Sequence, residues 1–133
     1  MQQNNRFFTD IADSKYISLT TYYKSGKGVS TPVEFVLKED KIYVNTRKDS
    51  YKVKRIKNSS KAKIAPCTMR GKIKGQEIEV LVRILPDSEN SDAVEAFQEK
   101  YSGFFFKVMT TLFFWRKQHE RIYIEIIPAG NGN

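Results

Sequence analysis

The sequence predicts a small, mostly β domain: six antiparallel strands forming a barrel, with a few helices packed on it. Three observations carry this expectation. Six short runs read as strands, three of them by period-two alternation, most of these runs are joined by tight turns, and only a few stretches carry helical spacing. At 133 residues the chain is one domain's worth, with no internal repeat or low-complexity linker. Its 40% hydrophobic and 13% aromatic content supports a packed core.

Residues 3–13 have helical spacing, with Phe7, Phe8, Ile11 and Ala12 on one side. Tyr16–Tyr23 is rich in β-branched and aromatic residues and reads as the first strand. Lys24–Gly28 is a turn, and Val29–Lys38 returns as the second strand of a hairpin. Pro32 lacks an N–H for a sheet ladder, so that strand belongs at an edge or carries a bulge. Glu39 and Asp40 turn the chain again. From Lys41 a third strand follows, in which Ile42 and Val44 alternate with Tyr43 and Asn45.

The period then changes. Val53 and Ile56 lie three apart, as on one face of a helix, and Ser50 falls at the junction, where its hydroxyl can cap the helix N-terminus. Ala62–Arg70 is the fourth strand, interrupted by Pro66; Gly71–Gly75 is a turn, and Gln76–Leu85 is the fifth, with Ile78, Val80, Val82 and Ile84 facing one way. The acids and serines after Pro86 open a helix whose buried stripe is Val94, Phe97 and Tyr101. Phe104–Lys117 is a second helical run. The sixth strand follows it, with Ile122, Ile124 and Ile126 alternating against Tyr123 and Glu125. Phe104–Trp115 is apolar around most of its circumference, yet too short and too often interrupted to span a bilayer. Such a helix must be covered on all sides, and the small barrel interior favours a second subunit as the cover.

The charge is unevenly distributed. The formal net charge is +8, and residues 47–63 hold eight Lys or Arg against the single acid Asp49. Cations crowded at a helix N-terminus are unfavourable by about a few tenths of a kcal/mol each, because the helix end is itself positive. A phosphate or carboxylate bound among Ser50, the free N–H groups, Lys52, Lys54 and Arg55 reverses those terms. Cys67 and His119 are each alone, which removes a disulfide framework and argues against a metal site or a His-dependent nucleophile. No Ser/His/Asp or paired-carboxylate constellation is present, so no catalytic residue is nominated; Tyr16, Tyr22, Tyr51 and His119 read as packing or surface residues. The N-terminus lacks the apolar run of a signal peptide, which makes the cytoplasm the expected location.

The order YISLTT, VSTPVEFV, IYVNTRKDSYKVKRI, APCTMRGKIKG resembles the pyridoxamine 5'-phosphate oxidase-like split-barrel proteins, and within them the flavin/deazaflavin oxidoreductases. Thr46, Ser50, Lys52, Lys54, Arg55 and Ile56 carry the most specific part; Pro66, Cys67, Arg70 and Gly71 form a second marker. The likeness runs from Tyr16 to Pro128. It implies a split β-barrel homodimer with coenzyme F-420 or FMN in a groove at the subunit interface. By resemblance, Ser50, Lys52, Lys54 and Arg55 hold the cofactor phosphate. Thr31, Pro32 and Val33 run along the ring, and Thr46 with Ala65, Pro66 and Cys67 line the same groove. The implied activity is hydride transfer to a small organic substrate, the cofactor carrying the chemistry. The surplus of cations between Arg47 and Lys63 leans toward the longer, more anionic F-420. Thr68, Ile73 and Glu34 depart from the family pattern, and Glu34, beside the ring strand, either alters substrate choice or faces solvent. Two other classes compete: a cofactor carrier or sensor without turnover, and a nucleic-acid-binding β-barrel. The second is the weaker, because the aromatics cluster in Phe104–Trp115, away from the basic stretch.

Overall fold

Seven strands, each antiparallel to its neighbours, make one sheet in the order β2-β1-β5-β6-β7-β4-β3. The computed structural model describes residues 8–100 and 121–129. The strands are β1 (Tyr16–Tyr22), β2 (Gly28–Glu34), β3 (Val36–Lys38), β4 (Lys41–Arg47), β5 (Lys61–Cys67), β6 (Ile78–Ile84) and β7 (Arg121–Pro128). Three α-helices are described: α1 (Thr9–Ala12), α2 (Tyr51–Asn58) and α3 (Ser91–Lys100). The predicted helix over 104–117, together with Phe7, Tyr101 and His119, lies outside the described residues.

The seventh strand has a simple origin. The extended run expected over 29–38 is continuous in the chain but changes partner at Phe35. Gly28–Glu34 pairs with β1, and Val36–Lys38 pairs with β4. One segment therefore forms both edges of the sheet, and the sheet must curl for this to be possible. That curl makes the split barrel. Phe35, at the switch, is 4% exposed and belongs to the core.

Pro32 and Pro66 sit where a missing N–H is tolerated. Pro32 is on β2, an edge strand as expected. β5 runs through Pro66 rather than breaking there, since its pairing with β6 stops at Ile64, two residues earlier. The Pro66 carbonyl instead accepts from Lys74 N at 2.8 Å.

Alternation fills the barrel. Ile17, Leu19, Ile42, Val44, Ala62, Ile64, Val80, Val82, Ile124 and Ile126 make one buried cluster. Helix α1 adds Phe8 and Ile11 to it, whereas Ala12 is exposed, contrary to the expected stripe. α1 lies at the Tyr16/Cys67 end of the β1–β5 pair, where Ser14 Oγ donates to the Tyr16 carbonyl at 2.7 Å. α2 closes the opposite end and inserts Ile56. Outside the barrel, α3 covers Val36, Tyr43 and Leu85. Its fully buried residues are Ala93 and Ala96 rather than Val94, with Phe97 packed beside Tyr123 at 5.8 Å between ring centroids. The helix turns its smallest side chains to the sheet because they allow the closest approach. Glu125, on the outer face of β7, is 8% exposed and is held by Arg83 Nε at 2.8 Å and Lys41 Nζ at 3.5 Å. Among the described residues no helix is long and apolar enough to cross a membrane.

Ile64 is fully buried between β1 and β6, while Ile73 in the following turn is 49% exposed. Ile64→Ala is expected to lower unfolding free energy by about 2–5 kcal/mol in urea titration. Ile73→Ala should stay within about 0.5 kcal/mol of the parent.

Candidate functional site

β4 delivers the chain to the start of α2, and Ser50 caps that helix. Its backbone is extended (φ −71°, ψ 157°) and its Oγ accepts from Val53 N at 3.4 Å. The first turn holds no acid. Asp49, the one acid of residues 47–63, is taken by Arg47, with two N–O distances of 3.2 Å on the exposed turn. The remaining cations divide by helix face. Lys52 and Arg55, three apart, turn toward the barrel. Lys54 is exposed, its ammonium 5.2 Å from the Tyr51 ring centroid, so the structure does not gather it with the other two.

Arg55 is 4% exposed. Its Nε donates to Thr21 Oγ1 at 2.6 Å, and its guanidinium carbon lies 5.5 Å from the Tyr23 ring centroid. Among the described residues no carboxylate lies within 4.0 Å of it. A buried cation without an anion is costly, because burial removes water and one hydrogen bond with one ring face replaces only part of it. Lys52 feels the same setting. Burial first, then the charges of Arg55 and Arg121, push its ammonium pKa below the ordinary lysine value.

Arg121 is the residue that sequence reasoning missed. It comes from the start of β7, pairs in register with Arg47, and donates through Nε to Asn45 Oδ1 at 2.6 Å. Nothing local in the sequence marks it; only the β4–β7 pairing places it by α2. Thr46, on β4 immediately before this corner, is 8% exposed. Among the described residues, Lys52, Arg55 and Arg121 lie together at a helix start whose first turn holds no acid, a composition suited to an anion.

The strand residues are arranged differently. β1 separates β2 from β5, so Thr31, Pro32 and Val33 stand two strand spacings, about 10 Å, from Ala65, Pro66 and Cys67. Cross-strand rows run Thr31–Leu19–Ile64, Pro32–Ser18–Ala65 and Val33–Ile17–Pro66. Paired residues share a face, so Thr31, Val33 and Pro66 face the core side with Ile17 and Leu19. Pro32, Ala65 and Cys67 face outward with Ser18. The candidate ring residues thus fall on both faces of the β2–β1–β5 sheet.

Two details bear on ligand fit. Thr31 Oγ1 is buried with no hydrogen-bond partner. The turn between β5 and β6 lies across both prolines. A Cβ on Gly71 would stand 3.9 Å from the Pro32 ring, and one on Gly75 only 2.7 Å from Pro66 Cγ. Gly71 also adopts φ +94°, which side chains avoid. Cys67 is 1% exposed, and burial raises its thiol pKa against the opposing charge of Lys74, which makes it an inert thiol. Glu34 is exposed and sits within electrostatic reach of Lys100. Two surface clefts, of about 520 and 580 Å³, are lined by none of the candidate cofactor residues.

Lys52 gives a pH prediction. With its folded pKa depressed, folding releases its proton between the folded and unfolded values, and that part of stability rises as pH climbs through the folded value. A bound anion restores the pKa and takes the proton back. Sulfate-induced thermal stabilisation is therefore expected to shrink with rising pH above neutrality, before an ordinary lysine would titrate. Lys52→Arg should flatten that dependence; an unchanged slope would remove Lys52 from the anion site.

Comparison with known proteins gives this geometry its context. Among curated protein sequences there is no significant match. Solved structures align along almost the whole chain. The heme storage protein HutZ of Vibrio cholerae has a TM-score of 0.64 at 12% identity, covering 90% of this chain and 85% of its own. An FAD-binding protein of Mesorhizobium loti has 0.61 at 11% identity, covering 94% and 89%. General Stress Protein 26 of Bacillus anthracis has 0.60 at 20% identity, covering 96% and 90%. At these identities the likeness is one of fold. The sequence model described as pyridoxamine 5'-phosphate oxidase matches residues 3–129, and the chain belongs to that family.

Proposed function

We propose that the chain is a homodimeric oxidoreductase that binds FMN or coenzyme F-420 and passes hydride to or from a small organic substrate. The observation that carries this reading is Arg55: a guanidinium 4% exposed, tied by one hydrogen bond to Thr21 and lacking a carboxylate among the described residues. A phosphate at the α2 corner supplies the missing anion. The unpartnered Thr31 Oγ1 offers a hydrogen bond to the polar edge of a ring. On both counts the residues present fit the cofactor.

In this account Ser50, Lys52 and Arg55 hold the phosphate, with Thr46 and Arg121 beside them. Lys54, on the exposed helix face, contributes little. Thr31–Val33 presents backbone groups and the Thr31 hydroxyl to the ring, and the Gly71 turn keeps the approach to Pro32 narrow. Ala65 and Cys67, each 1% exposed, give an apolar outer wall beside Ser18. The division of these residues between two sheet faces supports a groove completed by a second subunit, since neither of the two clefts described above joins them. When bound, the cofactor supplies the hydride chemistry. The protein's part is to bind it, orient it and exclude water, which agrees with the absence of an acid–base constellation.

Calorimetric titration with FMN and, separately, with F-420 tests this. One of them is expected to bind at about one per subunit. Lys52→Ala should weaken that binding by roughly 1.5–3 kcal/mol, the worth of a charge-assisted contact. Lys54→Ala should change it by less than about 1 kcal/mol, as for an exposed charge. Binding of neither cofactor would sink the oxidoreductase reading. Binding without turnover of any electron donor would favour a carrier or sensor.

A further inference from the structure

The cations that the cofactor cradle leaves aside are gathered by the fold into a second, continuous surface. On α2, Tyr51, Lys54 and Asn58 recur at spacings of three and four and are all exposed, with Lys57 next to Asn58. This face rises about 10 Å along the helix. Beyond its end, Asn58 and Ser59 help to wall a cleft of about 580 Å³, together with Tyr23, Lys24, Lys61 and Lys63. Among the described residues, Lys24, Lys54, Lys57, Lys61 and Lys63 have no carboxylate within 4.0 Å. The one acid lining the cleft, Glu79, opposes Lys63 in the β5–β6 register without pairing to it.

Aromatic rings are interleaved with these charges. Tyr51 is 74% exposed at one end of the stripe, and Tyr23 is 44% exposed in the cleft at the other. In the sequence the two tyrosines are 28 positions apart (51 − 23), and Tyr23 belongs to a hairpin with no basic run. The fold alone brings them to one surface. Unneutralised lysines in a row, with exposed rings among them, match a polymer that carries a phosphate on every unit and a planar base beside it.

We propose that this face binds single-stranded nucleic acid, its phosphates along Lys54, Lys57, Lys61, Lys63 and Lys24 and its bases stacked on Tyr51 and Tyr23. Neither the Lys52 ammonium nor the Arg55 guanidinium forms part of this face; Tyr23 alone is shared, one side of its ring lying 5.5 Å from the Arg55 guanidinium carbon and the residue being 44% exposed.

Fluorescence anisotropy of the full chain with labelled oligouridylate and oligothymidylate of about a dozen nucleotides, within the range of known site sizes, tests this across a salt series. Binding is expected to weaken steeply with salt. The triple variant Lys57→Ala/Lys61→Ala/Lys63→Ala should reduce the log–log salt slope by about 2, at roughly 0.7 per phosphate contact. Tyr51→Ala and Tyr23→Ala should each weaken binding by about five-fold or more, while Phe at either position retains it. Polyglutamate, which carries charge without bases, should bind far more weakly. The relative affinities of the two oligonucleotides then tell RNA from DNA. Absence of binding to both overturns the proposal. So does binding equal to that of polyglutamate and unaffected by Tyr51→Ala, a fully surface change that leaves the fold intact.

Discussion

A buried guanidinium with no acid beside it among the described residues organises this molecule more than any other contact. Arg55 is drawn inward by its place on α2, one residue before Ile56, which fills the barrel end. Thr21 satisfies one of its donors, and Tyr23 covers it. The neighbouring charge of Lys52 adds repulsion rather than relief. Under the proposed function this corner is prepared for an anion, and the electrostatic cost becomes binding energy when the anion arrives.

The barrel explains why the corner is where it is. One extended segment supplies both sheet edges, with Phe35 as the pivot, so the sheet closes on itself and leaves β4 and β7 side by side. That pairing brings Arg121 to the helix that follows β4. The same closure sets Pro32 on an edge strand beneath the Gly71 turn. The cationic corner and the placement of Pro32 are thus consequences of one topology.

Local features were legible in the sequence. Ser50 at a change of period marked the helix cap, Pro32 marked an edge, and alternating isoleucines marked β7. Features set by contacts between distant segments were not. The partner switch at Phe35 has no local signature, so one strand was expected where two occur. The stripe on α3 follows the closeness of the sheet rather than hydrophobic size, which moved burial from Val94 to Ala93 and Ala96. Spacing on α2 does separate Lys54 from Lys52 and Arg55, yet a count of cations along the chain treats all three alike. The two faces of the β2–β1–β5 sheet likewise divide residues that a list by motif places together. Membership of the pyridoxamine 5'-phosphate oxidase family agrees with the split barrel, and says less about which ligand fills it.

The most direct test of the account compares the thermal stability of the parent with that of Arg55→Met/Thr21→Val, with and without saturating anion. Removing both partners of the buried hydrogen bond leaves no orphaned group, and an apolar side chain of similar length avoids the unpaired charge. The account predicts a ligand-free variant at least as stable as the parent, and the loss of most stabilisation by added FMN or sulfate. A variant that is markedly less stable without ligand, yet still gains the parent's full shift on adding it, would contradict the claim that Arg55 waits for an anion.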